Sequence, residues 1–270
     1  MTISDANLSQ SVDQILKDKK YRQLGIPRET VEDLILHENI PGLDEKVVLK
    51  RVRKKMHHLI APYLEDLNYA QASNWLEEAY QSTQQEPIKA ACLRIMQLHA
   101  STRERLPHLD EFYATIFFNC GKPESILDLA CGLNPLAIPW MDLPGNTEYH
   151  AYDIHTPRIE LINHFFRLEH RSPLGEVRDI LIHPPEIKAD LAFFFEEAHR
   201  MEQRRKGANR ELWAALKVKN LIISLPAFSL NGNHDLRQQM RQLVKMTTRG
   251  LPWEIREFRC GNELLFCIQK

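Results

Sequence analysis

The sequence predicts an α/β protein, a mostly parallel Rossmann-like sheet preceded by a wholly helical N-terminal part. Three observations carry this. Ser125–Leu129 reads as a short buried strand, and Ala130-Cys131-Gly132-Leu133-Asn134-Pro135-Leu136 as a small-residue turn opening a helix. A second apolar strand, His150-Ala151-Tyr152-Asp153, ends in an acid 25 residues after Asp128. Strand-like and helix-like stretches then alternate, and the chain closes on two strand-like runs joined by Cys260-Gly261-Asn262, a β-hairpin pattern.

The first two observations also describe a ligand site. A turn at the carboxyl end of a parallel strand lets the backbone approach a nucleotide-type ligand, and the following helix start offers free N–H groups. An acid at the tip of the second strand suits the two hydroxyls of a ribose. Gly132 is the single glycine of the turn, so G-x-G-x-x-G is absent. A dinucleotide brings a pyrophosphate and calls for several glycines. S-adenosylmethionine (SAM) has no phosphate, so one glycine with two acids suits it better. On spacing alone, an ordinary βαβ turn would look the same.

Composition narrows the class. The chain has 270 residues, 43% hydrophobic and 26% charged, which allows one or two soluble domains with a sizeable core. Net charge is −1, so nucleic-acid contact would have to come from local patches. Cys92, Cys120, Cys131, Cys260 and Cys267 form no CxxC and no secretory segment opens the chain, which predicts reduced thiols in a cytoplasmic protein. No apolar run reaches the ~18 residues of a membrane span. The twelve histidines show no metal-ligand spacing, and nothing suggests more than a monomer.

Taken in order, residues 1–97 read as helical. The apolar spacing predicts a helix over Asp13–Leu24, carrying Lys17, Lys19, Lys20 and Arg22. Pro27 opens a second and Asp44 a third, in which Val48, Val52, Met56 and Leu59 form a stripe. The other faces of that third helix hold Lys46, Lys50, Arg51, Arg53, Lys54 and Lys55 with no acid between them. Such a run is usually a solvated face; an unbroken single sign also suits a phosphate backbone. Pro62 opens another helix, one around Trp75 to Tyr80 ends near Thr83, and Pro87 opens the last. Ser101 and Glu104 match a capping box for a helix over Thr102–Asn119. Arg103 and Arg105 at that helix start oppose its dipole, which asks for an anionic partner.

The strands follow at Ser125–Leu129, Glu148–Asp153, Gly175–Arg178, Ala189–Phe195 and Asn220–Leu225, with a helix at Leu236–Thr248 and the hairpin Trp253–Arg259/Glu263–Gln269. Parallel strands closed by an antiparallel hairpin are the arrangement of SAM-dependent methyltransferases rather than of nicotinamide enzymes.

With these residues in view, the chain resembles the aminoglycoside-resistance 16S ribosomal RNA methyltransferases of the ArmA/RmtB type over about residues 10–270. The shared strings are Lys19-Lys20-Tyr21-Arg22, Leu98 through Leu106 (LHASTRERL) and Leu127 through Leu136 (LDLACGLNPL), with Asp153-Ile154-His155, Asp179 and Ser224-x-Pro226. The resemblance implies a seven-stranded SAM-dependent methyltransferase domain over 98–270 and a helical RNA-docking domain over 1–97. It implies methylation at N7 of a decoding-site guanine of 16S rRNA in the 30S subunit. It places His99, Ala100, Ser101, Thr102, Arg103, Glu104 and Arg105 at the methionine end of SAM, with an arginine on its carboxylate. Gly132 then lies against the cofactor, Asp153 on the ribose, Asp179 and Ile180 at the adenine, and Phe195 near the methyl donor. Lys19, Lys20, Arg22, Lys50, Arg51, Lys54 and Lys55 would meet RNA, and Phe228 would stack on a flipped base.

The chemistry agrees with what the sequence lacks. Guanine N7 is an unprotonated lone pair, so its methylation needs no general base and is mostly alignment and base flipping. The N/D-P-P-Y motif that serves exocyclic amines is absent; His183-Pro184-Pro185-Glu186 reads as a turn, and Cys131 as a packing residue. Two positions depart from the family. Glu196 stands where a lysine touches the target, and loop 227–235 has no lysine or arginine where the family's is basic. Arg200, Arg204, Arg205, Lys206, Lys217 and Lys219 are candidates to compensate. The alternatives are a methyltransferase of another RNA or a small molecule, and a SAM-binding homologue without catalysis.

Overall fold

The computed structural model describes residues 5–61, 67–82, 84–229 and 232–270, without the side chains of residues 5, 6, 100 and 101. Three helices open the chain: α1 (Asp5–Leu16), α2 (Arg28–Glu38) and α3 (Glu45–Ile60). Each apolar stripe turns inward, so Val12, Ile15, Val31, Leu34, Ile35, Val52, Met56 and Ile60 build a core of their own. Asp44 caps α3, its side chain accepting from Lys46 N at 2.8 Å. Helix α1 begins and ends earlier than its apolar spacing suggests, so Lys17, Lys19, Lys20 and Arg22 lie in an exposed turn after it.

Helices α4 (Tyr69–Ala79) and α5 (Gln85–Met96) do not join that core. They pack with α7 (Leu109–Cys120) and α8 (Thr156–Leu168) against one face of the sheet. The break in packing therefore falls after residue 60, well before the 97/98 boundary that helix content alone suggests. The helix expected from Pro62 lies outside the described residues, and α4 ends at Ala79, short of the end expected near Thr83.

The sheet has seven strands: β1 (Ser125–Leu129), β2 (Glu148–Asp153), β3 (Gly175–Val177), β4 (Lys188–Phe195), β5 (Lys217–Pro226), β6 (Glu254–Cys260) and β7 (Glu263–Gln269). Their order is β3-β2-β1-β4-β5-β7-β6, and β7 alone runs against the others, antiparallel to both β5 and β6. The β1 residues alternate between the two faces: Ile126 joins the α5/α7/α8 layer, while Leu127 and Leu129 join the opposite one. That opposite layer holds α9 (Ala198–Arg204), α10 (Ala208–Ala215) and α11 (Arg237–Thr248). The sheet thus has the architecture the sequence predicts, with helices on both faces.

The N-terminal helices dock on the carboxyl ends of the strands. Thr156 N donates to Leu24 O at 3.1 Å and its Oγ1 to Gly25 O at 2.7 Å. Ile154, just past β2, joins the α1–α3 core. Among the described residues no helix is long and apolar enough to cross a membrane, and no group of His, Cys, Asp and Glu could hold a metal.

Candidate active site

After β1 the backbone turns through two left-handed residues, Ala130 (φ 50°) and Gly132 (φ 54°), before a 3-10 turn over Asn134–Trp140. The helix start expected there is this tighter 3-10 turn, which accommodates Pro135 and Pro139. Gly132 N donates to Asp153 Oδ2 at 3.0 Å, and His155 N donates to Oδ1 at 3.0 Å. The carboxylate at the tip of β2 is thereby fixed against the glycine turn.

Asp128 plays a different part from Asp153. Its Oδ2 accepts from Tyr149 Oη at 2.6 Å and from Asn134 Nδ2 at 2.9 Å, and it lies inside the fold. Burial pushes its carboxyl up to about 7. Asn134 Oδ1 in turn accepts from Tyr113 Oη at 2.6 Å and Arg105 Nη1 at 3.0 Å. Only one of the two acids of the motif therefore faces the ligand space; the other braces the turn from below.

The crevice above the turn is lined by His99, Thr102, Arg105, Gly132, Asp153 and Phe195, all expected at the cofactor. Asn134, Arg158, Glu197 and Arg200 line it too, residues the spacing did not single out. Its volume is about 30 Å³, and it adjoins a cavity of about 530 Å³ between α3, α9 and the ends of β4 and β5. Glu196, Glu197 and Arg200 line both and so form the neck between them.

The segment 99–105 splits in two. His99, not Ser101, is the N-cap of the short helix α6 (Ala100–Arg103), so Ser101 lies inside the helix rather than capping it. The side chains of Ala100 and Ser101 lie outside the described residues. His99 Nε2 is 3.3 Å from Arg158 Nη1, and Thr102 Oγ1 donates to Met96 O at 2.6 Å. Arg103 points outward and donates to Gln97 O; exposed Glu104 accepts from Asn262 at 2.9 Å.

Arg105 has the anionic partner its position asks for, and the partner is part of the chain. Its Nε and Nη2 each donate to a Glu263 carboxylate oxygen at 2.7 Å, with both residues buried. Burial works against the charge, yet Glu263 outweighs it and holds the guanidinium above its ordinary pKa. The guanidinium also lies 4.6 Å from the Phe195 ring and 4.2 Å from that of Phe112.

Asp179 is engaged as well. Arg204 binds it at 2.7 and 2.9 Å, Thr30 Oγ1 donates to Oδ2 at 2.7 Å, and Leu181 N donates to Oδ1 at 3.1 Å. Asp179 and Ile180 are buried outside the crevice lining, tying α2 and α9 to the strand ends.

The cations expected to meet RNA differ in exposure. Lys19, Lys20, Arg22, Lys50 and Lys54 are exposed, and Arg51 is half-exposed, 3.8 Å from Glu38. Lys55 turns inward, 2.7 Å from Glu38 and donating to Arg204 O. Most of the candidates to replace a basic loop are held elsewhere: Arg200 by Glu197, Arg204 by Asp33 and Asp179, Arg205 by Glu211, Lys219 by Asp190. Two cations do reach the described part of loop 227–235: the guanidinium carbons of Arg237 and Arg259 lie 5.2 and 5.6 Å from the Phe228 ring. Leu230 and Asn231 lie outside the described residues.

Residues 17–268 match the ribosomal RNA methyltransferase (FmrO) family. A 16S rRNA (guanine(1405)-N(7))-methyltransferase of Micromonospora echinospora is 32% identical over 82% of this chain and 82% of its own. The solved structure of the 16S rRNA methylase RmtB is 27% identical, covers 99% of this chain and 100% of its own, and superposes with a TM-score of 0.79. The fold also matches the 16S rRNA methyltransferase RmtF, solved in complex with S-adenosyl-L-homocysteine (SAH), at 24% identity and a TM-score of 0.79, over 99% of each chain.

Proposed function

The chain belongs to the ribosomal RNA methyltransferase (FmrO) family, and we propose that it methylates N7 of one decoding-site guanine of 16S rRNA in the 30S subunit, protecting the ribosome from aminoglycosides. The observation that carries this reading is the Gly132–Asp153 clasp at 3.0 Å, with His99, Thr102, Arg105 and Phe195 around it. A carboxylate pinned at that spot accepts from ribose hydroxyls, and the left-handed glycine lets the ligand lie against the backbone. These residues fit SAM, which supplies an electrophilic methyl group. Arg105, its charge balanced by Glu263, braces the floor of the crevice, and the Phe195 ring packs beside it.

Guanine N7 brings its own lone pair, so no residue needs to remove a proton. The chain's task is to hold the base at the neck between the two cavities. The exposed cations of the turn after α1 and of α3 supply the phosphate contacts, and Phe228 between Arg237 and Arg259 offers a stacking platform. A second reading, methylation of a small molecule, draws on the size of the 530 Å³ cavity.

The test is transfer of labelled methyl groups from SAM to unmethylated 30S particles, paired with gentamicin susceptibility of cells expressing the chain. The proposal predicts labelled 16S rRNA and resistant cells. Unlabelled particles and sensitive cells, with SAH still bound by the protein, would exclude the 30S target.

A further inference from the structure

Several of the charged groups lining the larger cavity are paired within the chain. Lys55 pairs with Glu38, Arg200 with Glu197, and Arg204 with Asp33 and Asp179. Glu263 is held by Arg105, and Glu104 by Asn262. Among the described residues that line this cavity, Glu196 Oε1, His199 Nδ1 and Arg204 Nε are shielded from solvent without a hydrogen-bond partner. Of these three residues only Glu196 also lines the cofactor crevice. A buried acceptor at the neck calls for a donor that arrives with a ligand.

Two further facts fix this group in place. Glu196 has φ 61°, a left-handed conformation that a non-glycine residue adopts only when its surroundings impose it. Its N–H donates to Ser224 O at 3.0 Å, so β5 holds the backbone while the carboxyl group stands at the end of β4. Burial, with the Glu263 carboxylate nearby, pushes the Glu196 carboxyl well above the ordinary carboxylate range, so a ligand that brings N–H donors to it is the one that stabilises its ionised form.

Resting on the reading that the methyl acceptor is a guanine, we propose that Glu196 is the specificity-determining residue for that base. Its carboxyl group accepts from N1–H and N2–H of guanine while N7 faces the methyl donor. The donors of guanine lie on that edge, whereas N7 and O6 are acceptors. Adenine presents a bare N1 there, which a carboxylate repels, so one residue both attracts the right base and rejects the wrong one.

The experiment is saturation-transfer NMR with guanosine, inosine and adenosine on the SAH-loaded protein, for wild type, Glu196→Gln and Glu196→Ala, with thermal unfolding as the check on folding. The proposal predicts that wild type prefers guanosine over inosine and adenosine by about tenfold or more. Glu196→Ala erases that preference, and Glu196→Gln, with one acceptor oxygen left, keeps part of it. Equal binding of the three nucleosides, no binding of guanosine, or a preference that survives in folded Glu196→Ala would each overturn it. The 30S assay separates this outcome from the functional reading. A chain that methylates 30S particles yet lacks guanosine preference loses the Glu196 assignment alone. A chain inactive on 30S that still selects guanosine through Glu196 loses only its target.

Discussion

Asp153 and Arg105 show how single residues divide the work between binding and stability. Asp153 accepts two backbone N–H groups, from Gly132 and His155, so Asp153→Ala should lower stability by on the order of 1–3 kcal/mol without unfolding the chain. Calorimetry should then show SAH affinity lost; unchanged affinity would remove Asp153 from the ribose. Arg105→Ala strands the buried Glu263 carboxylate and should cost about 3–5 kcal/mol in denaturant unfolding. Asp128 gives a pH signature. Its carboxyl, raised by burial to about 7, keeps a proton in the folded chain that the unfolded chain releases near its ordinary 3.8. Stability from this group is full below about pH 4 and is lost as pH rises through about 7. Across that window the thermal midpoint of wild type should fall more steeply than that of Asp128→Asn; parallel profiles would contradict this. Gly132 and Asp153 were legible from spacing because both lie on one local strand–turn–strand unit. The partner of Arg105 was not, because Glu263 sits 158 residues away on another strand. Arg204 was hidden as the group that holds Asp179 for another reason: it sits on α9, and local spacing does not fix how that helix packs.

Helix α3 carries the clearest prediction at the scale of an element. Its inward stripe of Val48, Val52, Met56 and Ile60 leaves Lys50, Arg51 and Lys54 on outer faces. Changing these three to alanine should leave SAH affinity intact and weaken 30S binding. The slope of log affinity against log salt should fall by about 2–3, since each phosphate contact contributes about 0.9. An unchanged slope would make the run a solvated face. Strands were legible almost to the residue, because buried parallel strands are unbroken apolar runs. Helix starts were less so: the 101–104 capping pattern lost to His99, and the stretch 17–24 is a turn although its apolar spacing continues. Local pattern does not reveal where the docking of Leu24 and Gly25 on Thr156 bends the chain.

At the level of the whole molecule, the strand order puts both cavities at the carboxyl ends of the parallel strands, and α2 and α3 line the larger one. Thr30 on Asp179 and Asp33 on Arg204 tie α2 to the loop after β3 and to α9. The sheet and its closing hairpin could be read from the alternation of apolar runs. The split of the helical region could not, because α4 and α5 have the same amphipathic pattern whichever core receives them. The central claim is that this crevice delivers a methyl group to one guanine N7. The direct measurement is borohydride–aniline scission of 16S rRNA, read by primer extension, after 30S particles meet the protein and SAM. A single stop is expected at one decoding-site guanine, absent with Asp153→Ala. A protein that binds SAH but leaves 16S rRNA without that stop would contradict it.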